Sequence, residues 1–198
     1  MENDSSLLNA ARMMDQDALG KIFDLYSFPL FNYAARLCGD SVLADHIVGD
    51  VFAKLLEQLS AGNGPRTNLR SYLYETTYHL IIDETRFSKR KAPLELAGLL
   101  RQEPDSGSPE MEDQLLFKQI LHAMQNELTD DQRHVIILRF LEEFSLRETA
   151  AIMGKTIDNV KVMQNRAIAA LRKSIENKRT RKRVASPRIR KLSKALGI

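Results

Sequence analysis

The sequence predicts an all-α protein made of two small helical domains joined by a flexible linker, the second containing a helix-turn-helix. Three observations predict it. Apolar residues recur at three- and four-residue spacing in both halves of the 198-residue chain, and no stretch alternates polar and apolar side chains as a half-buried strand would. "RQEPDSGSPEMED" sets Pro104, Gly107 and Pro109 among serines and acids, a composition that resists a packed core. "SLRETAAIMGKTIDNVKVMQNRAIAAL", residues 145–171, reads as two helices separated at Gly154. The expected divisions are a first domain at 5–90, a linker at 91–113, a second domain at 114–176 and a basic tail at 177–198.

The elements follow in chain order. Leu7, Leu8 and Ala11, then Ala18, Ile22, Phe23, Leu25 and Tyr26, carry helical periodicity. Phe31, Ala34, Ala35 and Leu37 continue it beyond a break expected at Pro29. Gly39, Asp40 and Ser41 mark a turn. Val42, Ile47, Val48, Val51, Phe52, Leu55, Leu56 and Leu59 then fit one long amphipathic helix, with Gly49 its weak point. "SAGNGPRTN" is a loop, and "LRSYLYETTYHLIIDETRFSKR" a helix that is aromatic at its start and basic at its end. "KAPLELAGLL" reads as a short helix or as a segment that binds back on one of the domains.

The second domain opens on a helix carrying Leu115, Leu116, Ile120, Leu121 and Met124. Thr129 is placed to cap the next helix, expected over 133–142. Ser145 and Glu148 have the spacing of a capping box, Gly154 sits where a left-handed residue would end that helix, and Thr156 can cap the last one, with Asp158 near its positive end. Leu146, Ala150, Met153, Val160, Met163, Ala167 and Leu171 share the inner side. Asp158, Asn159, Lys161, Val162, Asn165, Arg166 and Ala169 face outward, with Gln164 on a flank. An interior αα-hairpin with no ligand accounts for this pattern; so does a DNA reader, because Asn159, Lys161, Asn165 and Arg166 can all donate to bases or phosphates.

Charge is unevenly placed. The net +3 hides residues 1–60 with 4 basic and 9 acidic groups, 61–90 with 5 and 3, 91–171 with 9 and 13, and 172–198 with 11 and 1. An acidic body with an intensely basic end suggests two kinds of contact. The single cysteine, Cys38, excludes an intrachain disulfide framework and reads as a small buried hydrophobe. No apolar run approaches the roughly 20 residues of a membrane span, and "MENDSSLLNA" is unlike a secretory signal, so the expectation is a cytoplasmic protein without membrane insertion. The sequence offers no Gly-rich phosphate loop, no Cys/His ligand array among His46, His79, His122 and His134, and no convincing carboxylate pair; Asp83–Glu84 reads as a solvated helix end. No enzyme activity, cofactor or metal is expected.

Residues 133–172, "RHVIILRFLEEFSLRETAAIMGKTIDNVKVMQNRAIAALR", resemble the promoter-reading region of bacterial RNA polymerase sigma factors, most closely the extracytoplasmic-function (group IV) class. The resemblance rests on Ile137–Phe140, Ser145, Glu148, Ala150, Gly154, Val160, Lys161, Arg166, Ala167, Leu171 and Arg172. LuxR-type regulators share parts of it, so the first half of the chain arbitrates. There, Ala44, Asp45, Ile47, Val48, Asp50, Val51 and Phe52 resemble the family's motif for docking on the clamp helices of the polymerase β′ subunit, and "LRSYLYETTYHLIIDETR" its promoter-melting region. His46, Gly49, Glu75, Tyr78, His79, Met163 and Gln164 depart from the common pattern.

The resemblance implies a sigma factor that directs core RNA polymerase to specific promoters and assists their opening. Asp45, Ile47, Val48, Asp50 and Phe52 would bind polymerase. Arg66, Arg70, Tyr72, Tyr74, Tyr78, Arg86, Lys89 and Arg90 would serve melting, aromatics taking unpaired bases and cations the backbone. Asn159, Lys161, Val162, Gln164, Asn165 and Arg166 would read duplex DNA in the major groove. Lys178, Arg179, Arg181, Lys182 and Arg183 in the tail suit salt-sensitive phosphate contacts. Core polymerase, promoter DNA and an anti-sigma factor are the implied partners. The alternative is a helix-turn-helix activator that binds duplex DNA without replacing a sigma subunit.

Overall fold

The computed structural model describes the backbone of residues 2–87 and 120–184 and the side chains of residues 5–84 and 120–176. Every regular element among them is helical: α1 (Glu2–Arg12), α2 (Gln16–Cys38), α3 (Ser41–Ser60), α4 (Leu69–Phe87), α5 (residues 120–127), α6 (Asp130–Ile136), a π-helical turn (Ile137–Leu141), α7 (Leu146–Ile152) and α8 (Ile157–Val184). The expected linker at 91–113 lies outside the described residues. The chain divides into two compact units, Met1–Asp105 with Ile137–Val160, and Ser106–Ile136 with Lys161–Ile198.

In the first unit α1 packs on α2, while α2, α3 and α4 pack on one another, and α7 packs on α4. Ile22, Leu30, Tyr33, Ile47, Leu55, Leu73, Tyr74 and Ile81, with Ile137, Leu138, Phe144 and Ile152, are the large side chains sealed in this unit. Local chemistry sets the helix ends. Asp15 accepts from the Ala18 N–H at 2.8 Å and starts α2. Gly39, at φ 73°, ends it by donating to the Ala35 carbonyl at 2.9 Å, and Asp40 starts α3 by accepting from Val42 at 2.8 Å and Leu43 at 3.1 Å.

Pro29 does not break α2, contrary to the sequence expectation. A mid-helix proline costs about 3 kcal/mol. Leu30, Phe31, Tyr33, Ala34 and Ala35 just behind it are all buried, and that burial outweighs the cost. Cys38 is only half-buried at the end of the same helix.

In the second unit, Leu121, Ala123, Met124, Leu128, His134, Val135 and Ile136 are buried. Thr129 and Gln132 cap each other's backbone N–H at 3.3 and 3.1 Å, so the cap expected at Thr129 is present. Ser174 on α8 donates to Glu127 Oε1 at 3.4 Å. α8 runs on to Val184, past the point at which the sequence pattern places the start of the basic tail.

The helix expected over 133–142 also differs. α6 ends at Ile136 and the backbone widens, with the Glu142 N–H donating to the Ile137 carbonyl at 3.0 Å, five residues back. An α-helix cannot put all of "VIILRFL" on one face. The wider turn buries Ile137 and Leu138, leaves Phe140 and Leu141 outside, and turns the next residues toward α2 and α4.

Candidate nucleic-acid interface

The helix-turn-helix is built from its caps outward. Ser145 Oγ accepts from the Glu148 N–H at 3.2 Å while Glu148 Oε2 accepts from the Ser145 N–H at 2.8 Å, completing the capping box. At the other end of α7, Gly154 (φ 60°) donates to Ala151 at 3.1 Å and Lys155 to Ala150 at 2.9 Å. This pair of reverse bonds satisfies the last carbonyls, and it needs the left-handed residue that glycine supplies without strain. Thr156 Oγ1 then accepts from Asn159 at 3.2 Å and opens α8.

Hydrogen bonds from the Ser145 side chain, then its backbone, hold the Glu148 carboxyl below its ordinary range. A depressed carboxyl contributes stability that is complete above its unfolded value, roughly pH 4.3, and is lost as pH falls through the folded value. Ser145→Ala is expected to cost about 1 kcal/mol at neutral pH. In urea titrations, the gap between the unchanged chain and Glu148→Gln should narrow as pH drops below about 4. A gap independent of pH would contradict the role of the ionised cap.

Along α8, Asn159, Lys161, Val162, Asn165 and Arg166 are exposed and Gln164 is half-exposed, while Val160 and Ala167 are buried. The exposed set mixes two cations with amide and apolar groups, which suits base edges as well as phosphates. Lys178, Arg179, Arg181, Lys182 and Arg183 fall within the α8 backbone, but their side chains are outside the described residues.

On α4 and the loop before it, Arg66 and Arg70 are exposed, Tyr72 is half-buried, and Tyr74 and Tyr78 are buried. Arg86 lies in α4 with its side chain outside the described residues, as Lys89 and Arg90 are altogether. Tyr74 sits in an aromatic row, 5.2 Å from the Tyr33 ring and 4.8 Å from Phe144, the latter edge-on at 73°. Arg70 lies over Phe144 at 4.1 Å and near Tyr74 at 5.5 Å. The Tyr74 hydroxyl donates to Glu142 Oε2, Arg36 Nη1 to Glu142 Oε1 at 3.3 Å, and Arg70 Nη2 to the Glu142 carbonyl. Burial, reinforced by the Glu142 carboxylate, drives the Tyr74 hydroxyl pKa far above its ordinary value, so it stays a donor. Burial likewise lowers the Arg36 guanidinium pKa, with Glu142 opposing. Glu142 and Arg36 are thus central to this face, and neither stands out in the sequence. Glu142 reads there as one of two adjacent acids, and only the π-turn distinguishes it from Glu143.

On α3, Asp45 and Asp50 are exposed, whereas Ile47, Val48 and Phe52 point inward. The apolar groups that reach solvent are others: Val42 and Leu56 on α3, Phe23 and Leu25 on α2, with the Phe23 ring 4.8 Å from Phe52. The apolar stripe read from the sequence is wider than the buried face, which is why its edge positions stay outside. Among the described residues no cluster of His, Cys, Asp and Glu could hold a metal ion, and no helix is long and apolar enough to cross a membrane.

Comparison with known proteins gives two family matches in order: sigma-70 region 2 over residues 22–91 and sigma-70 region 4 over residues 126–173. The extracytoplasmic-function (ECF) RNA polymerase sigma factor BldN of Streptomyces coelicolor is 25% identical over 167 residues, covering 83% of this chain; the match spans 63% of BldN itself. The Bacillus subtilis ECF sigma factor SigW is 26% identical over 172 residues, 82% of this chain and 91% of SigW. In the solved structures, CnrH in complex with the cytosolic domain of CnrY matches with a TM-score of 0.63 and 21% identity, covering 88% of this chain and 97% of that one. The sigma factor RpoE in complex with the anti-sigma factor NepR, from Bartonella quintana, matches at 0.60 and 23%, covering 79% and 96%. At these identities the structures speak for the fold.

Proposed function

Because the chain belongs to the sigma-70 family, in its extracytoplasmic-function class, we propose that it directs core RNA polymerase to specific promoters and assists their opening. The observation that carries this reading is the pair of sigma-70 regions, 2 then 4, matched in order on one chain. A duplex-binding activator needs only the second of them.

The work divides along the chain, with functional domains at 5–90 and 114–176. Asp45 and Asp50 meet a basic helical surface of the polymerase β′ clamp, on a face that Ile47, Val48 and Phe52 hold rigid from inside. The exposed Phe23, Leu25, Val42 and Leu56 supply apolar area for the same contact. Arg66, Arg70 and Tyr72, with Arg86, Lys89 and Arg90 beyond them, engage the opened strand, while Tyr74 and Tyr78, expected from the sequence to take bases, are buried behind that face. Asn159, Lys161, Val162, Gln164, Asn165 and Arg166 enter the major groove of the upstream element. Lys178, Arg179, Arg181, Lys182 and Arg183 add phosphate attraction. Nucleotide transfer is the polymerase's chemistry, so this chain supplies no catalytic group. An anti-sigma factor is the regulatory partner, in line with the Bartonella quintana sigma factor RpoE solved in complex with the anti-sigma factor NepR. The setting is the cytoplasm.

Reconstitution with purified core polymerase tests the reading. The expected result is promoter-dependent transcription and open-complex formation that core polymerase alone does not give. Specific duplex binding without core binding would replace it with the activator reading.

A further inference from the structure

Arg70, which the proposed function gives to the opened strand, and Tyr74 one turn further along α4 are already occupied within the first unit. Arg70 lies over the Phe144 ring and donates to the Glu142 carbonyl, and Tyr74 gives its hydroxyl to the Glu142 carboxylate and its ring to the edge of Phe144. Glu142 is 8% exposed and Phe144 1%. Arg36, from the neighbouring α2, completes the set by holding the other carboxylate oxygen.

The occupying groups have a recognisable chemistry. A carboxylate on a guanidinium and a flat ring under a second guanidinium present, side by side, an anion and an aromatic face. Those are the two features of a nucleotide in single-stranded DNA, its phosphate and its base. The backbone is specially shaped to present them. The π-helical turn at Ile137–Leu141 is followed by Glu143 at φ 55°, a left-handed conformation uncommon outside glycine. Departures of this kind persist where surrounding contacts hold them, and here those contacts are with α2 and α4. Arg139, donating to the Phe144 carbonyl, braces the segment from its own side.

We infer that residues 142–144 are an internal latch, a nucleotide mimic seated in a strand-binding site formed by Arg36, Arg70 and Tyr74, and that this site takes an unpaired nucleotide only when the latch leaves. The inference rests on the proposed role of α4 in melting and extends it in two ways. It adds Arg36 as a phosphate contact, and it makes DNA access depend on a conformational step, so that apparent affinity is reduced by the fraction of molecules that are latched.

The test uses the full chain with a fluorescently labelled oligothymidylate as probe, and amide hydrogen exchange over residues 137–145 as a readout of the latch itself. Glu142→Ala, with Glu142→Gln as a milder variant, should accelerate that exchange and bind the probe about ten-fold more tightly than the unchanged chain. Adding Arg36→Ala to Glu142→Ala should remove the gain. Glu143→Gln, which loses the same charge one residue away on an exposed side chain, should reproduce neither effect. Unchanged exchange in folded Glu142 variants would overturn the latch and leave the reading of α4 standing. Faster exchange with no gain in probe binding would overturn the strand-binding site, and the role of α4 with it. Equal tightening by Glu143→Gln would reduce the effect to net charge and overturn the mimic.

Discussion

Leu73→Ala is expected to cost the first unit about 2–5 kcal/mol, a large share of the roughly 5–15 kcal/mol that holds a domain folded. Leu73 is fully buried on α4, the helix that packs on α2, α3 and α7 together. Truncation there loses the transfer energy of the side chain and leaves a cavity bounded by several helices, which cannot all move in to close it. The effect extends to the proposed strand contacts, because the same helix carries Arg70 and Tyr72. Urea unfolding followed by far-ultraviolet circular dichroism measures it. The midpoint should fall with little change in slope; a loss below about 1 kcal/mol would mean that the core is looser around α4 than its burial implies.

The second large effect is at Arg166. Arg166→Ala is expected to weaken promoter binding by about 1–3 kcal/mol, roughly 5- to 150-fold, with little loss of stability. Arg166 is exposed on α8, so removing it creates no cavity. Salt dependence and sequence dependence separate the two roles open to it. If Arg166 reads a base edge, its removal relaxes preference at one promoter position. If it holds a phosphate, its removal weakens all sequences alike and lowers the salt slope by about one. Unchanged affinity in both respects would remove Arg166 from the reading face.

Much of the fold was legible beforehand because its signals are local. Gly39 and Asp40, Thr129, Ser145 with Glu148, Gly154 and Thr156 act through hydrogen bonds to residues within a few positions, so spacing alone locates them. Periodicity likewise separated buried Val160 and Ala167 from exposed Lys161, Asn165 and Arg166. Pro29 misled because a local penalty was outweighed by burial of residues further along the helix. The exposed Phe23, Leu25, Val42 and Leu56 were hidden inside an apolar stripe, since periodicity marks a face and only packing shows where the core stops.

The sequence by itself determined the all-helical class, the positions of most helix ends and the family, since all three depend on short-range chemistry or on motifs that survive as strings of residues. Only the tertiary structure decided what Glu142, Phe144 and Arg36 do. Arg36 and Glu142 are 106 positions apart, and Tyr74 and Glu142 are 68 apart. No local rule relates them. Their meeting depends on a backbone that widens at Ile137–Leu141 and turns left-handed at Glu143, and on the desolvation that makes a buried carboxylate hold fast to every donor it can reach.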